Sequence, residues 1–475
     1  MAQEMSSPIH RGVSMKTRIM WGCGGAADNF MFNVFNYLYL WIYVDYFKMN
    51  PAAAGVAVAI PRFVDAITDP IIGNWSDNFR SKWGRRRPLI IVGTICCAIL
   101  LPLYWVVPWV STAQNPWYSN APFLYLTIMG CVYACAYTLF VVPFTALGFE
   151  LSDDYDERTK VLSWRMYIGL IAASVVPWVY KMSVNETLFA NIQQGAIIVT
   201  CFMSVLVIFL GFMPALGCKE RPEGLAQPQI SLTKSVIEAF SNKVFLRICF
   251  CQFVTIMISG MPTMVGGFVS LYIVCRGNQS LNASIVGING TLSSITCMLS
   301  LVIFTWLSAK FSKRGALIFG FLFDSVAFLT LWITLDPRWP YAQIISYVLI
   351  SLAAQGCWLM VDSMMSDICD DDELQTGMRR EGIFSSVLGF VKKAANAMTA
   401  VFAGLMLEFS GFDVETAKAV GVPDSLANRM IWIIILCPLI AYAWGALLMV
   451  KYPISRERAA QTRLELDRRH AAAGK

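Results

Sequence analysis

The chain has 475 residues, 57% of them hydrophobic and 14% charged, with a formal net charge of +6. An average soluble domain carries about 25% charged residues, and an exterior in water could not wet this much apolar surface, so a large soluble enzyme is excluded and hydrocarbon must supply part of the solvent. Fourteen cysteines, most of them inside apolar runs, and only two histidines, His10 and His470 in the polar tails, argue against a disulfide framework, a metal enzyme and a histidine proton relay.

In chain order, twelve apolar segments are predicted, at 19–47, 53–75, 88–110, 122–149, 160–182, 194–217, 244–275, 282–309, 315–336, 341–366, 382–410 and 427–450. Each holds the roughly 20 apolar residues that a membrane-crossing helix needs. The stretch before Trp21 is mostly polar, and the first apolar run is too long for a signal-peptide core, so no cleavable leader is expected. The longest polar interruption, Gly217–Lys243, divides the chain into an N-terminal unit (1–217), a linker (218–243) and a C-terminal unit (244–475) with a basic tail.

Basic residues set the orientation. With the N-terminus cytoplasmic, the tails and even-numbered loops hold about 28 Lys and Arg, and the opposite side about six. Both termini are therefore placed in the cytoplasm, and the positive charge is read as topology and anionic lipid headgroups, not a nucleic-acid partner. A faint internal repeat supports two similar halves. The acidic loop Glu150–Arg158 after the fourth segment is echoed by Asp367–Glu381 after the tenth, and Trp75–Arg87 after the second by Trp306–Gly315 after the eighth. Such halves suggest alternating access around a central site.

Charges inside the apolar runs are expensive and mark function by default. The first segment carries Asp28, and the second carries Arg62, Asp65, Thr68 and Asp69. The i, i+4 spacing puts Asp65 and Asp69 on one helical face with Arg62 on the same side. Two carboxylates beside a hydroxyl make a hard oxygen site for Na⁺, or one carboxylate carries H⁺; the plainer alternative is an Arg62–Asp ion pair that staples helices. In the eleventh segment Lys392 and Lys393 point about 100° apart, so at most one faces a central cavity while the other reaches an interface. Asp324 and Asp362 are read as structural. The basic run Arg80–Arg87, with Asp77, suits a cytoplasmic gate whose arginines pair with helix ends or with Asp153–Glu157; a phosphate or lipid-headgroup site is the other reading. Trp105, Trp109, Trp117 and Trp178 fit an aromatic belt at the membrane interfaces, while Tyr37, Trp164 or Trp358 could stack on a sugar ring. No Walker A sequence, GxSxG elbow or HExxH helix occurs, which argues against ATP-driven transport and the commonest hydrolases.

Asp65-Ala-Ile-Thr-Asp69-Pro-Ile-Ile-Gly73 and the following Arg-Ser-Lys-Trp-Gly-Arg run resemble the glycoside–pentoside–hexuronide:cation symporters of the major facilitator superfamily. Pro143-Phe144, the acidic loop and Arg379-Arg380-Glu381-Gly382 extend the resemblance over nearly the whole chain. It implies an all-α membrane protein of twelve transmembrane helices in two pseudo-symmetric six-helix bundles, the major facilitator fold. It also implies a cation site at Asp65, Asp69 and Thr138, a solute site at Asp28, Arg165 and Lys393, and a helix-two arginine at Arg62. Val141 and Thr145 stand where the melibiose-carrier branch has an aspartate and a tryptophan, so the solute half of the site is altered and melibiose itself is disfavoured. The expected function is symport of a glycoside, pentoside or hexuronide with Na⁺ or H⁺, with a lysolipid as the alternative solute. The protein is expected to be a multi-pass protein of the cell membrane, to act as a monomer in the lipid bilayer, to need no cofactor beyond its coupling ion, and not to be an enzyme.

Overall fold

The structure, a computed structural model, describes residues 13–107, 121–151, 155–218, 220, 242–376 and 381–472. Their helices run in the order α1 (Met15–Tyr39), α2 (Pro51–Asn78), α3 (Arg87–Leu103), α4 (Ala121–Glu150), α5 (Tyr155–Val175), α6 (Trp178–Ser183), α7 (Ile192–Gly217), α8 (Lys243–Ser259), α9 (Met261–Phe268), α10 (Gln279–Phe311), α11 (Lys313–Thr334), α12 (Gln343–Thr376), α13 (Glu381–Ser410), α14 (Val414–Val420), α15 (Asp424–Val450) and α16 (Arg456–Ala472). Local chemistry sets several starts. Asn50, Asn191, Asn278 and Asp413 stand just before α2, α7, α10 and α14, and each side-chain oxygen accepts a first-turn backbone N–H.

Eight helices among the described residues are long and apolar enough to cross a membrane, and α3 is a shorter apolar helix. Their outer faces are hydrocarbon-like: Phe209, Val302 and Ile333 are 62–77% exposed. Water would penalise such a surface, whereas lipid tails do not. Interior prolines such as Pro61 and Pro70 of α2 are tolerated in this setting.

Some predicted segments are interrupted. The run 244–275 breaks at Gly260 into α8 and α9, because Pro262 lacks a backbone N–H and cannot continue the ladder. The run 160–182 bends at Pro177 between α5 and α6 for the same reason. Two short π-helical stretches, Leu40–Tyr46 after α1 and Val269–Val274 after α9, come next to residues in the left-handed region: Lys48 (φ 58°) and Arg276 (φ 50°). Each is then followed two residues later by a capping asparagine, Asn50 or Asn278. The chain thus repeats a local geometry that the sequence barely shows.

α1 packs on α5 and α7, α3 on α4 and α7, and α2 on α4. Later in the chain α10 packs on α12, α11 on α12 and α15, and α8 on α13 and α15. The earlier and later helices meet chiefly through α2 with α13, and through α5 and α6 with α10. These are close approaches: a Cβ on Gly55 of α2 would lie 2.3 Å from the carbonyl oxygen of Ala400, and one on Gly290 of α10 would lie 2.1 Å from Cγ of Pro177. Trp178 belongs to this seam and not to an interfacial belt, since its indole N–H donates to Thr291 of α10 at 2.9 Å. Trp105 is fully buried against Phe35 and Tyr43 for want of any lipid-facing side. Trp109 and Trp117 lie outside the described residues, as does nearly all of the 218–243 linker.

Candidate functional site

α2 presents Asp65 and Asp69 one turn apart, and α4 and α13 bring their partners. Thr138 of α4, fully buried, donates its hydroxyl to Asp65 Oδ1 at 2.7 Å. The Thr68 and Thr138 hydroxyls lie 3.3 Å apart. From α13, Lys393 Nζ lies 2.8 Å from Asp65 Oδ2 and also donates to Asp69 Oδ2. Asp69 Oδ1 is buried and has no hydrogen-bond partner. An oxygen so placed carries a desolvation penalty. The set offers two carboxylates and two hydroxyls, all hard oxygen donors that suit a small alkali cation. Among the described residues no group of three or more His, Cys, Asp or Glu is placed to hold a metal ion, so the donor set does not resemble a transition-metal centre.

The next residue back on α4 reaches the other way. Tyr137 donates its hydroxyl to Asp28 Oδ1 of α1 at 2.6 Å. Arg165 of α5 holds the second oxygen of that carboxylate, with Nη2 3.1 Å from Asp28 Oδ2, and lies over the rings of Phe144 and Trp21. Adjacent side chains on a helix diverge by about 100°, so Tyr137 and Thr138 tie Asp28 and Asp65 to a single peptide unit of α4. The structure therefore brings Asp65, Asp69, Thr138 and Lys393 into one cluster and Asp28 and Arg165 into a second. Tyr137, which joins them, was not singled out in the sequence because an aromatic residue in an apolar helix reads as packing.

Other intramembrane charges resolve differently. Lys392 pairs with Asp362 at 2.7 Å and lies over Trp358, so it is Lys393 that meets the helix-two carboxylates. Asp324 is fully buried in α11, and neither carboxylate oxygen has a hydrogen-bond partner. Arg62 does not form the Arg62–Asp staple: it stacks over the Phe32 ring, 4.5 Å from the centroid, and lines a cavity of about 50 Å³ with Phe32, Phe35, Pro61, Asp65 and Tyr137. In the basic run, the backbone N–H groups of Arg85, Arg86 and Arg87 converge on Glu220 at 2.6–2.9 Å. This is a carboxylate at the positive end of α3. Arg87 also donates to the carbonyl of Ala215 at the end of α7. The Asp77 side chain and the Asp153–Glu157 stretch lie outside the described side chains, as do Arg379 and Arg380.

A further cluster lies where α1 ends, roughly 40 Å along the helix from Met15 at about 1.5 Å per residue. Asp45, 2% exposed, accepts from Tyr272 and, at 3.0 Å, from Gln279, and Lys418 of α14 lies 2.8 Å from its carboxylate. Lys48 pairs with Glu415 at 2.8 Å, and Lys181 donates to Ser280 at 2.8 Å. Trp41 stacks on Tyr180 and packs on Phe268. Every one of these polar links joins the earlier helices to the later ones at this distal end.

An all-helical fold with eight membrane-length apolar helices among the described residues, and a half-buried ion-pair cluster between α2 and α13, is that of a transporter of the major facilitator type. The chain belongs to the MFS/sugar transport protein family, whose pattern it matches over residues 20–456. It is a membrane transporter of the plasma or inner membrane, not an enzyme. It is 22% identical to the isoprimeverose transporter of Lactiplantibacillus pentosus, over 99% of this chain and 95% of that one. It is 23% identical to sodium-dependent lysophosphatidylcholine symporter 1-A of Danio rerio, over 94% of this chain and 87% of that one. In fold it is similar to a bacterial homologue of the human lysosomal transporter Spinster, with TM-score 0.63 at 12% identity over 93% of this chain and 98% of that one.

Proposed function

We propose that the protein couples uptake of a sugar or sugar-like solute, a glycoside, pentoside or hexuronide, to Na⁺ or H⁺ by alternating access. The observation that carries this reading is the position of Lys393, whose ammonium bridges Asp65 and Asp69 beside the Thr138 hydroxyl. In this arrangement Lys393 takes the place of the coupling cation. A cation that enters the carboxylate pair displaces the lysine, and the freed ammonium becomes available to the solute. Coupling follows because each ligand then favours the same rearranged state, and a ligand shifts an equilibrium only through its differential affinity for the two states. Asp28, held by Tyr137 and Arg165, forms the solute side, and the α4 peptide unit 137–138 transmits strain between the two sides.

In this reading twelve spans form two six-helix bundles divided at 218–243, both termini are cytoplasmic, and the chain works as a monomer. The distal end, closed by Asp45, Tyr272, Gln279 and Lys418, is then the outer gate, and Asp77 with Arg85, Arg86 and Arg87 belongs to the cytoplasmic gate. Val141 on α4, and relatives named for lysophosphatidylcholine, support a lysolipid as the second reading of the solute. The test is accumulation by the purified chain in proteoliposomes under an imposed Na⁺ or pH gradient, with isoprimeverose, glucuronate and lysophosphatidylcholine as candidate solutes. Accumulation above equilibrium supports symport; downhill equilibration that ignores both gradients rejects it.

A further inference from the structure

The charges around the site pair off with one exception. Arg165 is committed to Asp28, Lys393 to Asp65 and Asp69, and Lys392 to Asp362. Arg62 has no carboxylate among the described residues; its guanidinium rests on the Phe32 ring and faces the cavity between α1, α2 and α4. A cation inside a span that lacks a fixed counter-charge is costly, and aromatic stacking offsets only part of that cost. At about 50 Å³ the cavity is too small for a sugar ring but large enough for two or three waters or one oxyanion group.

We infer that Arg62 is the specificity residue of the solute site and takes a carboxylate or phosphate oxygen of an anionic solute, an inference that rests on the symport reading above. Charge balance supports it. Arg62, Arg165 and Lys393 against Asp28, Asp65 and Asp69 sum to zero, so a bound coupling cation leaves the site one positive charge in excess. An anionic solute restores neutrality; a neutral sugar does not. The same geometry fixes an order. Asp65 lines this cavity with Arg62 and is neutralised by Lys393 before the cation enters and by the cation afterwards, when the displaced ammonium adds one positive charge to the site. Cation loading therefore strengthens binding of an anionic solute more than binding of its neutral counterpart.

Equilibrium binding to the purified chain tests this, with glucuronate, glucose and lysophosphatidylcholine as probes, each with and without Na⁺ and at two pH values. Wild type is compared with Arg62→Gln and Arg62→Lys, with thermal unfolding as a check on folding. A charge-assisted bidentate contact predicts that Arg62→Gln weakens the anionic probe by about 10- to 100-fold and leaves glucose unchanged. Arg62→Lys recovers part of the loss. A loss confined to glucuronate supports the assignment; a loss confined to the lysolipid, a zwitterion of zero net charge, overturns the charge balance. Equal loss of glucose and glucuronate in Arg62→Gln, or wild-type preference for glucose, overturns it while symport stands. No cation-dependent binding of any probe, together with downhill-only uptake, overturns the symport reading and this inference with it.

Discussion

Removing Lys418 should open the distal end. Its ammonium lies 2.8 Å from Asp45 Oδ1, and Asp45 is 2% exposed, so Lys418→Met leaves a buried carboxylate without its nearest cation. Stripping one partner from a fully buried pair costs about 3–5 kcal/mol, whereas exposed pairs contribute about 0–1 kcal/mol. Lys418 is 39% exposed, and Asp45 keeps Tyr272 and Gln279 as donors, which places the effect between these limits. A loss of about 2 kcal/mol from the closed state changes its ratio to the open state about thirtyfold. Cys275, 4% exposed and three residues beyond Tyr272, reports the change. Its alkylation by an impermeant maleimide in right-side-out vesicles, followed by peptide mass spectrometry, should speed up by about that factor in Lys418→Met. Adding Asp45→Asn should slow it again by removing the unpaired charge. An unchanged rate in a folded Lys418→Met protein would refute a closing role for the Lys418–Asp45 pair.

Thr138→Val removes the hydroxyl that serves Asp65, and should weaken cation binding by about 1 kcal/mol while solute binding without cation holds; calorimetry separates the two. Glu220→Gln replaces a carboxylate that accepts three backbone N–H groups by an amide that also donates, and should lower the melting temperature through a loss of about 2 kcal/mol with no change in solute affinity. Asp413→Ala removes the cap of α14, worth about 1 kcal/mol, and should raise hydrogen exchange in Val414–Val420. Hydrogen bonds from the Thr416 backbone N–H and hydroxyl hold the Asp413 carboxyl below the usual carboxylate range. Its stabilisation is therefore complete above that range and is lost as pH falls through the lowered value, so exchange in α14 should not change across neutral pH.

The fold was legible where burial forces composition. Apolar runs located the helices because a bilayer tolerates little else, and Asp65 and Asp69 stood out because charge is rare there. Hydropathy does not distinguish a π-helical turn from an α-helical one, so Leu40–Tyr46 and Val269–Val274 were invisible. The site was legible only along single helices. One turn of α2 gave the carboxylate pair, but the choice of Lys393 over Lys392, and Thr138 as partner, came from resemblance and not from spacing. The distal cluster had no local pattern at all. The partners of Asp45, namely Tyr272, Gln279 and Lys418, lie 227 to 373 positions from it, and only the docking of four separate elements brings them together. Glu220 was hidden for another reason: one acidic residue in a charged linker looks solvated until the turn before α3 wraps around it.

The carboxylate pair is the centre of the account, and solute accumulation under a cation gradient in Asp65→Asn and Asp69→Asn proteoliposomes tests it most directly. Both variants should still exchange solute across the membrane at equal concentrations but no longer accumulate it, because the gradient has no site through which to act. Gradient-driven accumulation at the wild-type level in both would contradict it.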